Sequence, residues 1–144
     1  VMQRPPHAPS VGLWANGLGR RTIWFGLVIG AVTLGLGCGY YAADFEQWQT
    51  VMFTTLAFMQ VGQAFATRSS TESLRTIGWR TNPLMLAIAG IVIALQLLAL
   101  YSPLSEFLDL DALSAADLAV CAAAGVGLLA LVEIVKAFHR ANAR

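Results

Sequence analysis

PLMLAIAGIVIALQLLALY, Pro83–Tyr101, carries no charged side chain, and the uncharged interval around it runs for 25 residues between Arg80 and Glu106. An α-helix rises about 1.5 Å per residue, so roughly 20 apolar residues cross the roughly 30 Å hydrocarbon layer of a bilayer. Further uncharged intervals flank it: 22 residues between Arg21 and Asp44, 21 between Glu46 and Arg68, and a shorter one from Leu118 to Val132. The last reaches Val135 if Glu133 is tolerated near its end. Composition agrees, at 57% hydrophobic, 12% charged and a mean hydropathy of +0.64, against about 25% charged for ordinary soluble domains.

The gaps between these intervals differ in sign. Arg4, Arg20 and Arg21 precede the first, Arg68, Arg75 and Arg80 lie between the second and third, and Lys136, Arg140 and Arg144 follow the fourth. The remaining gaps hold Asp44, Glu46, Glu106, Asp109, Asp111 and Asp117 and no basic residue. Basic residues gather on the cytoplasmic side of membrane proteins. The expected fold is therefore all-α: a polytopic, multi-pass membrane protein with four transmembrane helices and both termini cytoplasmic, in the cell membrane. The expected spans are about 22–43, 48–67, 83–101 and 115–136, with residues 1–21 a cytoplasmic loop and 22–144 the four-helix domain. A net charge of +1 says little about partners; membrane lipid is the expected surrounding, and no nucleic-acid partner is expected. No secretory signal is visible, because a polar lead precedes the first apolar run and no cleavage site with a soluble domain follows it.

Local signals mark the ends of the spans. Trp14, Trp24, Tyr40, Tyr41, Trp48, Trp79 and Tyr101 all fall near predicted interfaces, where a half-wet amphipathic ring is stable. Asn82 before Pro83 reads as a helix cap with proline at the first helical position, and Ser114 with Asp117 as a capping box opening the last helix. Gly26, Gly30, Thr33 and Gly37 form a small-residue face on the first span, and Ala119, Ala123, Gly127 and Ala130 one on the fourth. Packing of these faces within the chain is the plain reading, and homodimerisation the alternative.

Chemistry-bearing residues are few. Cys38 and Cys121 read as packing residues at matching depth, with a disulfide the alternative. His7 and His139 are isolated, so zinc-type ligand spacing is absent. No catalytic residue is expected, since the sequence holds no nucleophile elbow, phosphate loop or paired catalytic acids. Gln60, Gln63, Gln96 and Glu133 are the polar side chains inside spans. Gln60 and Gln63, three residues apart with Thr55 further out, are expensive in lipid unless paired, so either interhelical hydrogen bonds or an ion path accounts for them. Glu133, three residues before Lys136, reads as a solvated ion pair at the inner interface.

Four motifs in order carry a family resemblance. Met2-Gln-Arg-Pro-Pro-His-Ala-Pro9 is similar to the cytoplasmic loop after the sixth membrane helix of P-type cation-transporting ATPases of the calcium-pump class (type II). Gln49-Thr-Val-Met-Phe-Thr-Thr-Leu56, continuing through Gln60 and Gln63-Ala-Phe65 to Arg68-Ser69, resembles that class's eighth helix. Leu95-Gln96-Leu97 with Tyr101 and Pro103 resembles the end of the ninth, and Glu133-Ile-Val-Lys136 the end of the tenth. The resemblance covers essentially the whole chain. It departs from the family at Ala112 and Leu118, where Pro and Trp are frequent, which touches an outer loop.

The resemblance implies the C-terminal transmembrane region of such a pump, helices seven to ten, with the remaining N-terminal part as its partner. Arg4 to Pro9 would then lie near the phosphorylation domain. The family's Asp-Lys-Thr-Gly-Thr phosphorylation loop has no counterpart in this sequence, so the resemblance implies an ion-translocase part that is not catalytic alone, and Val1 fits a segment cut from something longer. Mg-ATP and the transported cation belong to the full pump, and no cofactor is expected in this chain. The family's eighth helix contributes to ion binding, and Gln60 occupies its position. Some members carry Glu there; a neutral amide still offers a hard oxygen. Gln63 and Thr55 are its polar neighbours. The alternative is an autonomous small four-helix membrane protein, either a small-molecule transporter or an accessory subunit.

Overall fold

The computed structural model describes residues 18–67 and 83–142, and among them every regular element is helical. The helices are α1 (Leu18–Ala42), α2 (Trp48–Thr67), α3 (Pro83–Tyr101), α4 (Leu104–Leu108) and α5 (Ala115–Asn142). Met2–Pro9, His7, Trp14, Arg68, Arg75, Trp79, Arg80 and the Asn82 cap lie outside the described residues.

Apolar sequence without Pro runs through α1 until the chain reaches Ala43 and Asp44. There Asp44 takes a left-handed backbone (φ 54°), a conformation Asp tolerates better than most residues. The Phe45 amide closes the turn onto the Tyr40 carbonyl at 3.0 Å. Edge-to-face ring pairs, Tyr40 on Phe45 and Tyr41 on Trp48, fix the entry to α2. α3 opens at Pro83 and ends ahead of the Ser102-Pro103 bend. α5 opens on Ser114, whose hydroxyl accepts from the Asp117 amide at 3.2 Å while donating to the Asp117 carboxylate. Ser114 thus caps α5 as expected, while the Asp117 carboxylate accepts from the Ser114 and Tyr40 hydroxyls. With no breaker after Lys136, α5 continues to Asn142.

α2 is the centre of the bundle, packed by α1, α3 and most extensively α5. α1 and α3 run antiparallel to it and α5 parallel. One core cluster joins Phe25 and Ile29 of α1, Met59 and Ala66 of α2, and Leu128 and Val132 of α5. A second joins Val51, Leu100, Leu113 and Cys121. It lies toward the end that carries Asp44, Glu106 and Asp109, hereafter the acidic end.

The small-residue faces differ from expectation. A Cβ built on Gly26, Gly30 or Gly127 meets nothing within 4 Å, and Ala119, Ala123 and Ala130 are exposed. Gly37 does pack, against Met52. Among the described glycines, the ones whose added Cβ would meet a neighbouring helix's backbone are instead on α2 and α5, where a Cβ on Gly62 would collide with the Gly125 carbonyl and one on Gly125 with the Phe58 carbonyl. Glycine there removes the side chain that would hold two parallel helices apart.

Polar side chains are buried beside the apolar clusters, and many large apolar side chains lie outside. Thr33, Thr50, Thr54, Thr55, Gln96 and Lys136 are buried, while Leu27, Leu34, Leu84, Ile91, Leu95, Val126 and Ile134 are exposed. An exterior of that kind suits lipid and not water. Three helical segments, Gly19–Ala42, Pro83–Tyr101 and Ala115–Phe138, are long and apolar enough to cross a membrane. α2 has the length, 20 residues, and no charge, but its Thr and Gln residues lower its hydropathy. Its central position accounts for this: neighbouring helices surround most of it.

Candidate functional site

The polar groups expected to matter lie on different sides of α2. Thr55 is fully buried, and its hydroxyl sits beside the Cys121 thiol without a well-formed hydrogen bond. Gln63 is half-buried and Gln60 exposed. Residues five apart on a helix are about 140° apart around its axis, so Thr55 and Gln60 do not share a face. Gln49, Phe53, Leu56, Gln60, Ala64 and Thr67 form one exposed stripe at steps of four and three. The positions buried against the other helices, among them Val51, Thr54, Thr55, Met59, Gly62 and Ala66, lie opposite or beside it. Gln60 therefore stands near the middle of an open face on the otherwise enclosed helix.

An amide side chain facing hydrocarbon without a partner is disfavoured by several kcal/mol, about 4–8 on the water-to-cyclohexane scale. In a membrane, a face of this kind is completed by further protein or by a hydrated path. Gln96 shows the opposite outcome. It is buried, and its Nε2 donates to Thr54 Oγ1 at 3.1 Å, joining α3 to α2. A shallow apolar crevice beside it is lined by Ala57, Phe58, Val61, Val92 and Ile93.

Two polar clamps hold the frame that presents Gln60. At the acidic end, the Tyr40 hydroxyl donates to Asp117 Oδ1 at 2.7 Å, joining α1 to α5. The Asp111 amide donates to Thr50 Oγ1 at 3.1 Å. At the other end, Lys136 is 6% exposed. Its Nζ donates to the Ala66 carbonyl at 2.8 Å and to Glu133 Oε1 at 2.9 Å. The expected Glu133–Lys136 pair is formed, but its ammonium is buried where a solvated one was expected. The last carbonyls of a helix lack intrahelical donors and carry the negative end of its dipole, so the ammonium is drawn inward as a cap on α2.

The i,i+3 spacing of Glu133 and Lys136 gave no hint of this cap, because its acceptor is a backbone group 70 residues away. The Gly62–Gly125 contact had a readable signal. Gly62 and Ala66, and Cys121 and Gly125, are small pairs at a spacing of four. Cys38 and Cys121 are free thiols, the first exposed and the second buried with its Sγ 3.7 Å from the Val51 carbonyl. Among the described residues no cluster of His, Cys, Asp and Glu is arranged to hold a metal ion. Oxygen donors at an open helix face can contribute one or two ligands to a hard cation but not a full shell.

Comparison with known proteins matches this arrangement to a family. The family model described as "Cation transporting ATPase, C-terminus" matches residues 1–138. The chain is similar to "Calcium-transporting ATPase 1" of Lactococcus lactis subsp. lactis (strain IL1403), with 30% identity over 139 residues. The match takes in 94% of this chain and 16% of that protein, so the chain spans a small part of its relative's length. With every regular element among its described residues helical, large apolar side chains exposed and that family matching residues 1–138, the chain belongs to the cation-transporting ATPase C-terminal family and is a membrane domain of it.

Proposed function

We propose that this chain completes the cation path of an ATP-driven, calcium-type pump whose remaining N-terminal part supplies the other membrane helices and the Mg-ATP-hydrolysing domains. The observation that carries the reading is the exposed Gln60 amide on the open face of α2, in a chain covering 16% of a calcium-transporting ATPase. That face is where the missing helices would pack. Gln60 would then offer its carbonyl oxygen as one ligand of a cation completed by groups from those helices. Gln63 is the hydrogen-bonding neighbour at the edge of the same face. Thr55, buried on another side, belongs to the packing between α2 and α5.

In this reading α2 crosses as well as α1, α3 and α5, making four crossings in the cell membrane with both termini cytoplasmic. The arginines and Lys136 fall in the gaps on one side of the proposed spans and six of the eight carboxylates, all but Glu72 and Glu133, in the gaps on the other, which supports that orientation. α2 enters at the acidic end without needing an apolar surface all round, because α1, α3 and α5 shield it.

The test is Gln60→Ala and Gln60→Glu in the full-length pump, reading ATPase activity against cation concentration. Removing one oxygen ligand is expected to raise the half-saturating concentration about tenfold, equivalent to about 1.4 kcal/mol. Gln60→Glu, which restores a hard oxygen and adds charge, should retain or lower it. A Gln60→Ala pump with unchanged cation dependence would return this residue to a packing role.

A further inference from the structure

We infer that α4, the short helix at the acidic end, is a lipid-interface anchor that sets Phe107, with Leu104 and Leu108, into the boundary between headgroups and acyl chains. Phe107 is 89% exposed, more than any other large apolar residue described, and Leu104 and Leu108 are 50% and 45% exposed. Their exposure is built in by a fixed fold. The Ser105 amide and hydroxyl both donate to the Ser102 carbonyl at 3.0 and 2.9 Å. The Leu110 amide returns to the Ser105 carbonyl at 2.9 Å, and Asp109 ends the helix in a left-handed conformation (φ 54°). On either side, the Tyr101 hydroxyl donates to the Leu113 carbonyl at 2.7 Å and the Asp111 amide is held by Thr50. A segment tied at both ends cannot fold its Phe ring back into the core.

Continuity identifies the occupant as lipid. α3 buries Gln96 and Leu100 against the bundle and leaves Leu84, Ile88, Ile91, Leu95 and Leu98 exposed at alternating steps of four and three. That stripe is purely aliphatic, so hydrocarbon covers it without stranding a polar group, whereas the face that needs protein cover is the Gln60 side of α2. α4 follows α3 after the two-residue bend at Ser102 and Pro103, which puts its apolar residues at the rim of the same surface. Glu106 and Asp109 are exposed beside them, giving the wet and greasy sides that an element lying in the interface requires.

The experiment places p-benzoylphenylalanine at position 107 of the full-length protein in its own membrane, with Leu95→p-benzoylphenylalanine and Asp109→p-benzoylphenylalanine as references, and reads photoadducts by mass spectrometry. Lipid adducts at position 107 comparable with those at 95 and several-fold above those at 109 are expected. Peptide adducts at 107, or the absence of adducts there while 95 labels lipid, would overturn the anchor. Failure at both 95 and 107 would remove the lipid-facing assignment of α3 as well, which separates the two claims.

Discussion

Lys136 shows how little a single residue's local pattern reveals of its role. Beside Glu133 on one helix it looks like half of a surface pair, which is worth a few tenths of a kcal/mol. In the fold it is buried and caps the last turn of α2 through the Ala66 carbonyl. Lys136→Met is expected to destabilise the bundle by about 1–3 kcal/mol, the usual penalty for stranding a buried polar partner. Lys136→Arg should retain most of the stability. Thermal inactivation of the detergent-solubilised protein checks both, and an unchanged midpoint for the Met variant would show that the cap contributes nothing. Gln60 and Gln96 make the complementary point. Both are glutamines within apolar helices, yet one is buried on Thr54 and the other faces outward. Their residue types could not separate these outcomes, because helical phase relative to neighbouring helices decides them.

Among the helices, placement was legible and mutual packing was less so. Uncharged runs, Pro83, Ser114 and Asp44 locate the helix ends because desolvation and backbone geometry act on the local chain. The short α4 was not anticipated, since Leu104–Leu108 is too brief for a periodic signal. Packing faces went astray on α1 and α5 because small-residue stripes are common in membrane helices and only some of them meet a neighbour. The pair that does, Gly62 and Gly125, leads to a contrast at this scale. Gly62→Ala forces a methyl into the Gly125 backbone and should destabilise the α2–α5 packing by about 1–3 kcal/mol, in line with overpacked cores. Gly127→Ala meets open space and should stay within about 0.5 kcal/mol of the parent. Equal effects in an unfolding assay would contradict the assigned contact.

For the whole molecule, the described residues form a bundle with the Thr- and Gln-bearing α2 at its centre and large apolar side chains exposed along α1, α3 and α5. Two polar clamps, Tyr40 with Asp117 and Lys136 with Ala66, tie the outlying helices at opposite ends. In the proposed function, this frame would present Gln60 to helices contributed by the rest of the pump. The family membership was legible from ordered motifs along the chain. The open face was not, since it is defined by which sides of α2 the other three helices leave uncovered. The account depends on α2 crossing the membrane even though its hydropathy falls below that of α1, α3 and α5. The most direct measurement introduces Asp44→Cys, Asp109→Cys and Arg75→Cys singly into a cysteine-free full-length protein and applies an impermeant thiol reagent to sealed cells. Labelling at positions 44 and 109 with protection at 75 is the predicted result. Labelling of 44 and 75 from the same side would mean that α2 does not cross, and would contradict the account.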